Sequence, residues 1–148
     1  MIDQRIYKKN IDFHGSKGLV FIGEKIIVYR RDGKTDRFPF HIDLPGGGKE
    51  ENETPFETFQ REVKEEFGIE VQEKDITYAK QYVSSVDPTK EAYFIVVKPK
   101  DIQQSQIVFG DEGVEYFLVT TEEFLNFSDA IERQQKKVID YIESLKQI

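Results

Sequence analysis

Three glutamates in one short segment, Glu62, Glu65 and Glu66, have the type and spacing to act together. At about 100° per residue of an α-helix they fall within one arc of about 100°, so their carboxylates share a face. Like charges at this spacing repel one another by roughly 0.2–0.5 kcal/mol per pair. A hard divalent cation would remove that repulsion, and oxygen ligands suit Mg²⁺, Mn²⁺ or Ca²⁺. The segment predicts a cation site, against the plainer alternative of a solvated acidic face paired with Arg61.

A helix that carries these glutamates is predicted from its own start and stop signals. The segment Thr54-Pro55-Phe56-Glu57 has the form of a capping box with Pro at the first helical position, and Gly68 is a left-handed stop. The apolar residues of the segment fall on a separate arc of about 80° that would face the core. They are Phe56, Phe59, Val63 and Phe67.

The same segment matches every fixed position of the Nudix box, G-x5-E-x7-R-E-U-x-E-E-x-G-U with U aliphatic. The matching residues are Gly47, Glu53, Arg61, Glu62, Val63, Glu65, Glu66, Gly68 and Ile69. Over residues 47–69 the chain therefore resembles the Nudix hydrolase family. The resemblance implies a metal-dependent pyrophosphohydrolase, which cleaves a nucleoside diphosphate linked to another moiety X by attack of water on phosphorus.

The resemblance also implies a role for each box residue. The implied metal ligands are Glu62, Glu65, Glu66 and Gly46, and Arg61 is implied to orient the carboxylates. Gly47 would bring backbone against the substrate phosphate, while Glu53 and Gly68 would support the loop and the helix. Mg²⁺ is the expected cofactor, with Mn²⁺ as a substitute.

Candidates outside the box are fewer. Glu112 precedes a predicted strand, where several Nudix hydrolases carry a loop glutamate that acts as general base, and a solvated turn is the alternative. Between Glu65 and Glu112 as the base, we expect the box carboxylates to be essential and Glu112 to be auxiliary, because a bound cation itself lowers the pKa of water. Arg30 and Arg31 end a predicted strand and are candidates for binding substrate phosphate, with surface solvation as the alternative.

Strand signals surround the box helix. A hairpin is predicted from Gly18–Ile22 and Lys25–Arg30, followed by a short extended piece over Phe38–Leu44. Further strands are predicted at 76–83, 92–97 and 114–119, and a C-terminal packing helix over about 128–146. This order predicts an α+β fold, a mixed-sheet α/β/α sandwich that forms one domain over residues 1–148.

Composition limits the partners. Of the 148 residues, 38% are hydrophobic, which is enough apolar side chain for a core. The net charge of −7 disfavours binding to duplex nucleic acid. There is no cysteine, which excludes disulfides and zinc sites of the cysteine type. No apolar stretch suits a membrane span. We expect a soluble, cytoplasmic protein that acts on a small-molecule diphosphate as a monomer or a homodimer.

Other functions stay open at this point. The enzyme alternatives are a hydrolase of a non-nucleotide diphosphate, such as an inositol or sugar derivative, and an isomerase of the same fold. A non-catalytic module that senses a nucleotide is the alternative from another class, and retention of every box carboxylate argues against it. The substrate itself is undetermined, because specificity depends on loops and pocket walls outside the motif.

Overall fold

Seven strands form one mixed sheet in the computed structural model, which describes residues 1–147. In chain order the elements are β1 (Phe13–Ile22), β2 (Lys25–Arg31), β3 (Ile42–Asp43), β4 (Gly46–Gly48), α1 (Pro55–Phe67), β5 (Ile76–Val83), β6 (Glu91–Val97), β7 (Gly113–Val119), α2 (Thr121–Asn126) and α3 (Glu132–Ser144). Strand β1 pairs with β6 in parallel and with β2 and β4 antiparallel. Strand β5 extends the sheet beyond β6, and β3 and β7 pair with β2. Ile148, the end of the predicted domain, lies outside the described residues.

Two apolar cores lie on opposite faces of this sheet, because successive side chains of a strand point to opposite faces. Val20 of β1 and Ile95 of β6 belong to the core that includes the apolar side of α1. Leu19 and Phe94, their sequence neighbours, belong to the second core with side chains of α2 and α3. The sheet thus lies between α1 and the two later helices, which confirms the predicted mixed-sheet α/β/α sandwich.

Helix α1 begins and ends at the predicted residues. The Thr54 hydroxyl accepts a hydrogen bond from the Glu57 N–H at 3.0 Å, and the Thr54 N–H donates to the Glu57 carboxylate at 2.9 Å. Gly68 follows the last turn with φ +69°, a conformation that glycine adopts at little cost. Local sequence therefore determines where the box glutamates stand along the helix.

The predicted extended piece over Phe38–Leu44 was wrong in most of its length. Phe38 and Phe40 have φ values of +49° and +61° and form a turn around Pro39, which lacks the N–H that a strand ladder needs. Their rings are 36% and 57% exposed, so they are not core residues. Only Ile42–Asp43 forms a strand in this segment.

The predicted C-terminal helix over about 128–146 is shorter. Residues 129–131 stay extended because they pair with β3: the Ile42 N–H donates to the Asp129 carbonyl, and the Ile131 N–H donates to the Ile42 carbonyl, both at 2.9 Å. The short helix α2 was not predicted; its own capping box, at Thr120 and Glu123, is the local signal that identifies it. Within residues 1–147, no helix is long and apolar enough to cross a membrane.

Candidate active site

Three carboxylates from two distant parts of the chain meet at the end of α1. One oxygen each of Glu62, Glu66 and Glu112 lies within 4.8 Å of the others. We call these residues the carboxylate cluster. Glu62 and Glu66 come from successive turns of α1, and Glu112 comes from the turn before β7. Negative charges at this spacing repel one another strongly where water is scarce, so the cluster favours a positive ligand.

Glu66 is the most buried member of the cluster. It is 4% exposed, and its Oε1 accepts a hydrogen bond from the Gly46 N–H at 3.0 Å. Burial raises the pKa of Glu66 to about 8, although Lys17 and the Gly46 N–H act in the opposite direction. Burial also raises the pKa of Glu62, with opposition from Arg61. Both shifts have burial as their largest cause, which disfavours the ionised form of each carboxylate.

Arg61 connects Glu62 of the cluster to box residues that lie outside the cluster. Its Nε donates to Glu53 at 2.7 Å and its Nη2 donates to the Gly48 carbonyl at 2.7 Å. Its Nη1 donates to Glu62 at 3.1 Å and to Glu65 at 3.0 Å. The Arg61 guanidinium therefore fixes the loop, the helix and the Glu62 carboxylate relative to one another.

The structure does not bring Glu65 to the carboxylate cluster. Its side chain is exposed, and its carboxylate pairs with Arg61. Although Glu65 and Glu66 are neighbours on one helical arc, Glu66 is buried and Glu65 is not. The third carboxylate beside Glu62 and Glu66 in this structure is that of Glu112.

The Gly47 backbone passes directly over the Glu62 carboxylate. A Cβ atom at Gly47 would lie 2.5 Å from the carboxylate carbon and from Oε1 of Glu62, which is closer than real contacts allow. Strand β4 holds this backbone in place because Gly47 pairs with Ser16 of β1. Glycine at this position is thus required for the position of Glu62.

We expect the Gly47→Ala variant to fold and to lose activity. The added methyl group must displace the Glu62 side chain, while φ at Gly47 lies outside the left-handed region and strand pairing is retained. A displaced catalytic group costs about a hundredfold in rate. Circular dichroism and kcat/KM measure the two effects, with Gly48→Ala as the control because only one atom, 3.9 Å away, faces its Cβ position. Equal activity of the two variants would contradict this role of Gly47.

A buried ion pair lies next to the cluster. Asp43 is fully buried, and its Oδ2 accepts from Lys17 at 3.0 Å and from Arg31 at 2.9 Å. Burial raises the pKa of Asp43, but Lys17, the Leu44 N–H and Arg31 outweigh this and hold it below its ordinary value. The Gly46 carbonyl accepts from the same Lys17 ammonium at 3.3 Å.

The two predicted arginines lie in different places. Arg31 lines the cleft beside Asp43. Arg30 is not among the described residues that line this cleft; its Nη1 donates to Asp129 at 2.7 Å and to the Phe40 carbonyl at 2.8 Å. Arg30 therefore holds the segment before α3 against β2, and the structure does not support its predicted contact with substrate.

The cleft has a volume of about 370 Å³, within the range that suits one small ligand. It is lined by the carboxylate cluster and by Lys17, Arg31 and three residues of α3. We call Arg133, Gln134 and Lys137 the α3 face. Sequence reasoning treated this helix as packing alone and missed these residues. The available signal in the sequence was the spacing of Arg133 and Lys137, two cations four residues apart and next to the apolar Val138.

The donor set of the cluster fits a hard divalent cation. Its ligand atoms are carboxylate oxygens, and the described residues include no thiolate or imidazole among them. The burial of Glu66 is the second feature that fits a cation, because a bound positive charge would offset the cost of ionising this carboxylate away from water. Nothing in this donor set distinguishes Mg²⁺ from Mn²⁺.

A family model described as NUDIX domain matches residues 13–142. The match covers most of the chain and includes the box, the sheet and α3. The chain therefore belongs to the NUDIX domain family and is a hydrolase that acts on pyrophosphate bonds. A comparison with curated protein sequences finds no match.

Solved structures share the fold at low sequence identity. A MutT protein from Methanosarcina mazei Go1 is 21% identical, with a TM-score of 0.73 over 93% of this chain and 99% of that chain. A C. elegans Ap4A hydrolase is 15% identical, with a TM-score of 0.65 over 90% and 99% of the two chains. A bifunctional NMN adenylyltransferase/ADP ribose pyrophosphatase from Francisella tularensis is 16% identical, with a TM-score of 0.67 over 89% of this chain and 41% of that chain. At these identities the likeness shows the fold alone.

Proposed function

We propose that the protein is a divalent-cation-dependent hydrolase of a nucleoside diphosphate linked to another moiety, or of a related diphosphate, with Mg²⁺ as its cation and Mn²⁺ as a substitute. The observation that carries this proposal is the carboxylate cluster, which combines two box glutamates with Glu112 at one end of a cleft of ligand size. The related structures include a hydrolase of Ap4A and a pyrophosphatase of ADP ribose, which supports a diphosphate as the group recognised.

In the proposed mechanism Glu62, Glu66 and Glu112 would hold the cation. When bound, the cation supplies the positive field that lets a diphosphate approach three carboxylates and stabilises charge on the phosphoryl oxygens. Arg61 keeps Glu62 oriented through its Nη1, and the Gly46 N–H keeps Glu66 oriented at 3.0 Å. Glu112 is the cluster member on a loop, so it can also accept the proton of the attacking water.

The sensing-module alternative is disfavoured by the same geometry. A protein that only binds a nucleotide has no need for three close carboxylates, one of which is buried at a cost in ionisation free energy. A non-nucleotide diphosphate remains the second candidate, because cations that line the cleft, among them Lys17 and Lys137, suit a strongly anionic substrate.

The experiment that tests the proposed function is a substrate panel with Mg²⁺. Purified protein is assayed for release of phosphate, pyrophosphate or nucleoside monophosphate from nucleoside triphosphates, dinucleoside polyphosphates, ADP-ribose, nucleotide sugars and diphosphoinositol phosphates. We expect hydrolysis of a diphosphate bond in at least one class. Binding without turnover across the whole panel would favour the sensing module instead.

Glu112 and Glu65 are expected to differ in their effect on catalysis. The Glu112→Gln variant removes a member of the carboxylate cluster, and we expect kcat to fall by about tenfold or more, with a change in the acidic limb of the pH profile. The Glu65→Gln variant removes an exposed partner of Arg61, and exposed ion pairs contribute little. Its kcat should stay within about twofold of the unmodified protein. The reverse order of effects would return the role to Glu65.

A further inference from the structure

We propose that the α3 face is a subsite for a phosphorylated polyol, that is, for a hydroxylated ring of the substrate that carries a phosphate monoester apart from the diphosphate to be hydrolysed. Arg133, Gln134 and Lys137 line the same cleft as the carboxylate cluster. The proposal rests on the proposed function, since it names what one side of such a diphosphate carries.

Gln134 is the first observation behind this subsite. The residue is 2% exposed, and its Oε1 has no hydrogen-bond partner among the described residues. Buried polar atoms are nearly always hydrogen-bonded, because an unpaired one has lost water without replacement. Since Gln134 lines the cleft, a bound molecule can supply the missing donor. The hydroxyl group of a sugar or cyclitol ring is such a donor.

The two cations of the α3 face are the second observation. Arg133 and Lys137 are four residues apart on one helix, where like charges repel, and neither takes part in a salt bridge with the described residues. Burial, together with the charges of Arg133 and Lys17, lowers the pKa of Lys137 to about 8. The nearby Asp43 already accepts from Lys17 and Arg31. The pair therefore lacks an anion, and a phosphate monoester supplies both charge and acceptor oxygens.

Aromatic rings hold these cations at the cleft. The Arg133 guanidinium carbon lies 4.9 Å from the centre of the Phe38 ring, and the Lys137 ammonium lies 5.2 Å from the centre of the Tyr82 ring. Contacts of this kind attract a cation to a ring face without neutralising its charge. The turn at Phe38 thus places the ring of this residue beside the α3 face.

The proposal places the hydrolysed diphosphate at the carboxylate cluster and the phosphate monoester at the α3 face. Glu66 of the cluster is linked through the Gly46 backbone to Lys17 and Asp43, by contacts of 3.0 Å, 3.3 Å and 3.0 Å. The charges that act on Lys137 are those of Arg133, Lys17 and Asp43, not those of the carboxylate cluster. The cleft thus has an acidic end and a basic end, and a ligand that spans it needs an anion at the basic end.

The test measures binding in excess EDTA, so that neither a cation nor turnover contributes. The probes are adenosine 5′-monophosphate and adenosine 2′,5′-bisphosphate, which differ by one ribose phosphate, and myo-inositol hexakisphosphate as the non-nucleotide polyol phosphate. We expect a polyphosphorylated probe to bind about tenfold or more tightly than the monophosphate in calorimetry. If adenosine 2′,5′-bisphosphate binds more tightly than the monophosphate, the polyol is a ribose; if myo-inositol hexakisphosphate does, it is a cyclitol. Equal affinity for all three probes would overturn the proposal.

Matched variants assign the gain to the α3 face. Lys137→Met removes the charge at similar length and should abolish the gain, whereas Lys136→Met, on the exposed side of the same helix, should retain it. Equal losses for the monophosphate and the bisphosphate in Lys137→Met would overturn the proposal, because Lys137 would then bind the 5′-phosphate that both probes share. Melting temperatures check that both variants fold.

Gln134→Met provides a second, independent readout. Removal of an unpaired buried amide should raise Tm by about 2–4 °C, while affinity for the polyol phosphate falls by about fivefold or more. Unchanged affinity would overturn the role of Gln134. Because no turnover is measured, the two proposals fail separately: binding without hydrolysis contradicts the proposed function alone, and hydrolysis without the binding preference contradicts the subsite alone.

Discussion

Replacement of Glu66 by Gln is expected to lower kcat by at least about a hundredfold. Glutamine keeps the size of the side chain and can still accept the hydrogen bond of the Gly46 N–H, so the site should keep its shape. What is lost is the negative charge that faces Glu62 and Glu112. Glu62→Gln should show a similar loss, because it removes another charge of the same cluster.

Steady-state kinetics with saturating Mg²⁺ measure this effect, and Glu70→Gln is the matched control. Glu70 is an exposed carboxylate just beyond α1, so its loss changes the net charge equally without touching the cleft. Near-normal kcat in Glu66→Gln and Glu62→Gln would mean that these glutamates form a solvated acidic face after all.

The stability of the cation-free protein should change with pH in a way that also depends on Glu66. Its pKa of about 8 in the folded protein is above its ordinary value of 4.5, so between these values the folded state holds a proton that the unfolded state releases. The free energy of unfolding contributed by this group therefore falls as pH rises from about 4.5 to 8. Denaturant titrations should show that fall in the unmodified protein and a weaker one in Glu66→Gln.

Removal of divalent cations is expected to abolish hydrolysis, and added Mg²⁺ should restore it. A diphosphate brings at least two negative charges towards the carboxylate cluster, and among the described residues Arg61 pairs with Glu62 alone of these three glutamates. Coupled phosphate-release assays with EDTA, followed by excess Mg²⁺ or Mn²⁺, measure the effect. Undiminished turnover in excess EDTA would contradict the proposed mechanism.

A stability measurement provides a control that does not depend on substrate. A cation that binds the native cluster raises Tm by mass action, equivalent to about 2.7 kcal/mol at one hundred times its dissociation constant. The increase should be present in the unmodified protein and absent from a variant with both Glu62→Gln and Glu66→Gln. A similar increase in both proteins would place the cation elsewhere.

The sequence alone was sufficient for the box helix and for the class of reaction. The capping box at Thr54 and Glu57, the stop at Gly68 and the apolar arc of α1 are local signals, and the helix begins and ends as they predict. The hairpin and the three later strands were likewise readable along the chain from apolar runs and turns, whereas the short strands β3 and β4 were not. Spacing within residues 47–69 was enough to indicate the Nudix family, which the family match over residues 13–142 confirms.

Tertiary structure decided which carboxylates meet. Glu65 and Glu66 are adjacent on one arc of α1, yet packing of the helix against the sheet buries Glu66 beside Gly46 and leaves Glu65 exposed. Glu112 joins the cluster through the turn before β7, whose position depends on the pairing of β7 with β2. An arc on an isolated helix cannot distinguish a buried edge from an exposed one.

Tertiary structure also gave the C-terminal helix its place at the cleft. Residues 129–131 pair with β3, and Asp129 binds Arg30 from 99 residues earlier in the chain. These contacts bring Arg133, Gln134 and Lys137 into the lining of the same cleft as the carboxylate cluster. Local periodicity shows which side of α3 is apolar and buried. The surroundings of its polar side depend on contacts between segments that are distant in sequence, and only the packed sheet brings those segments together.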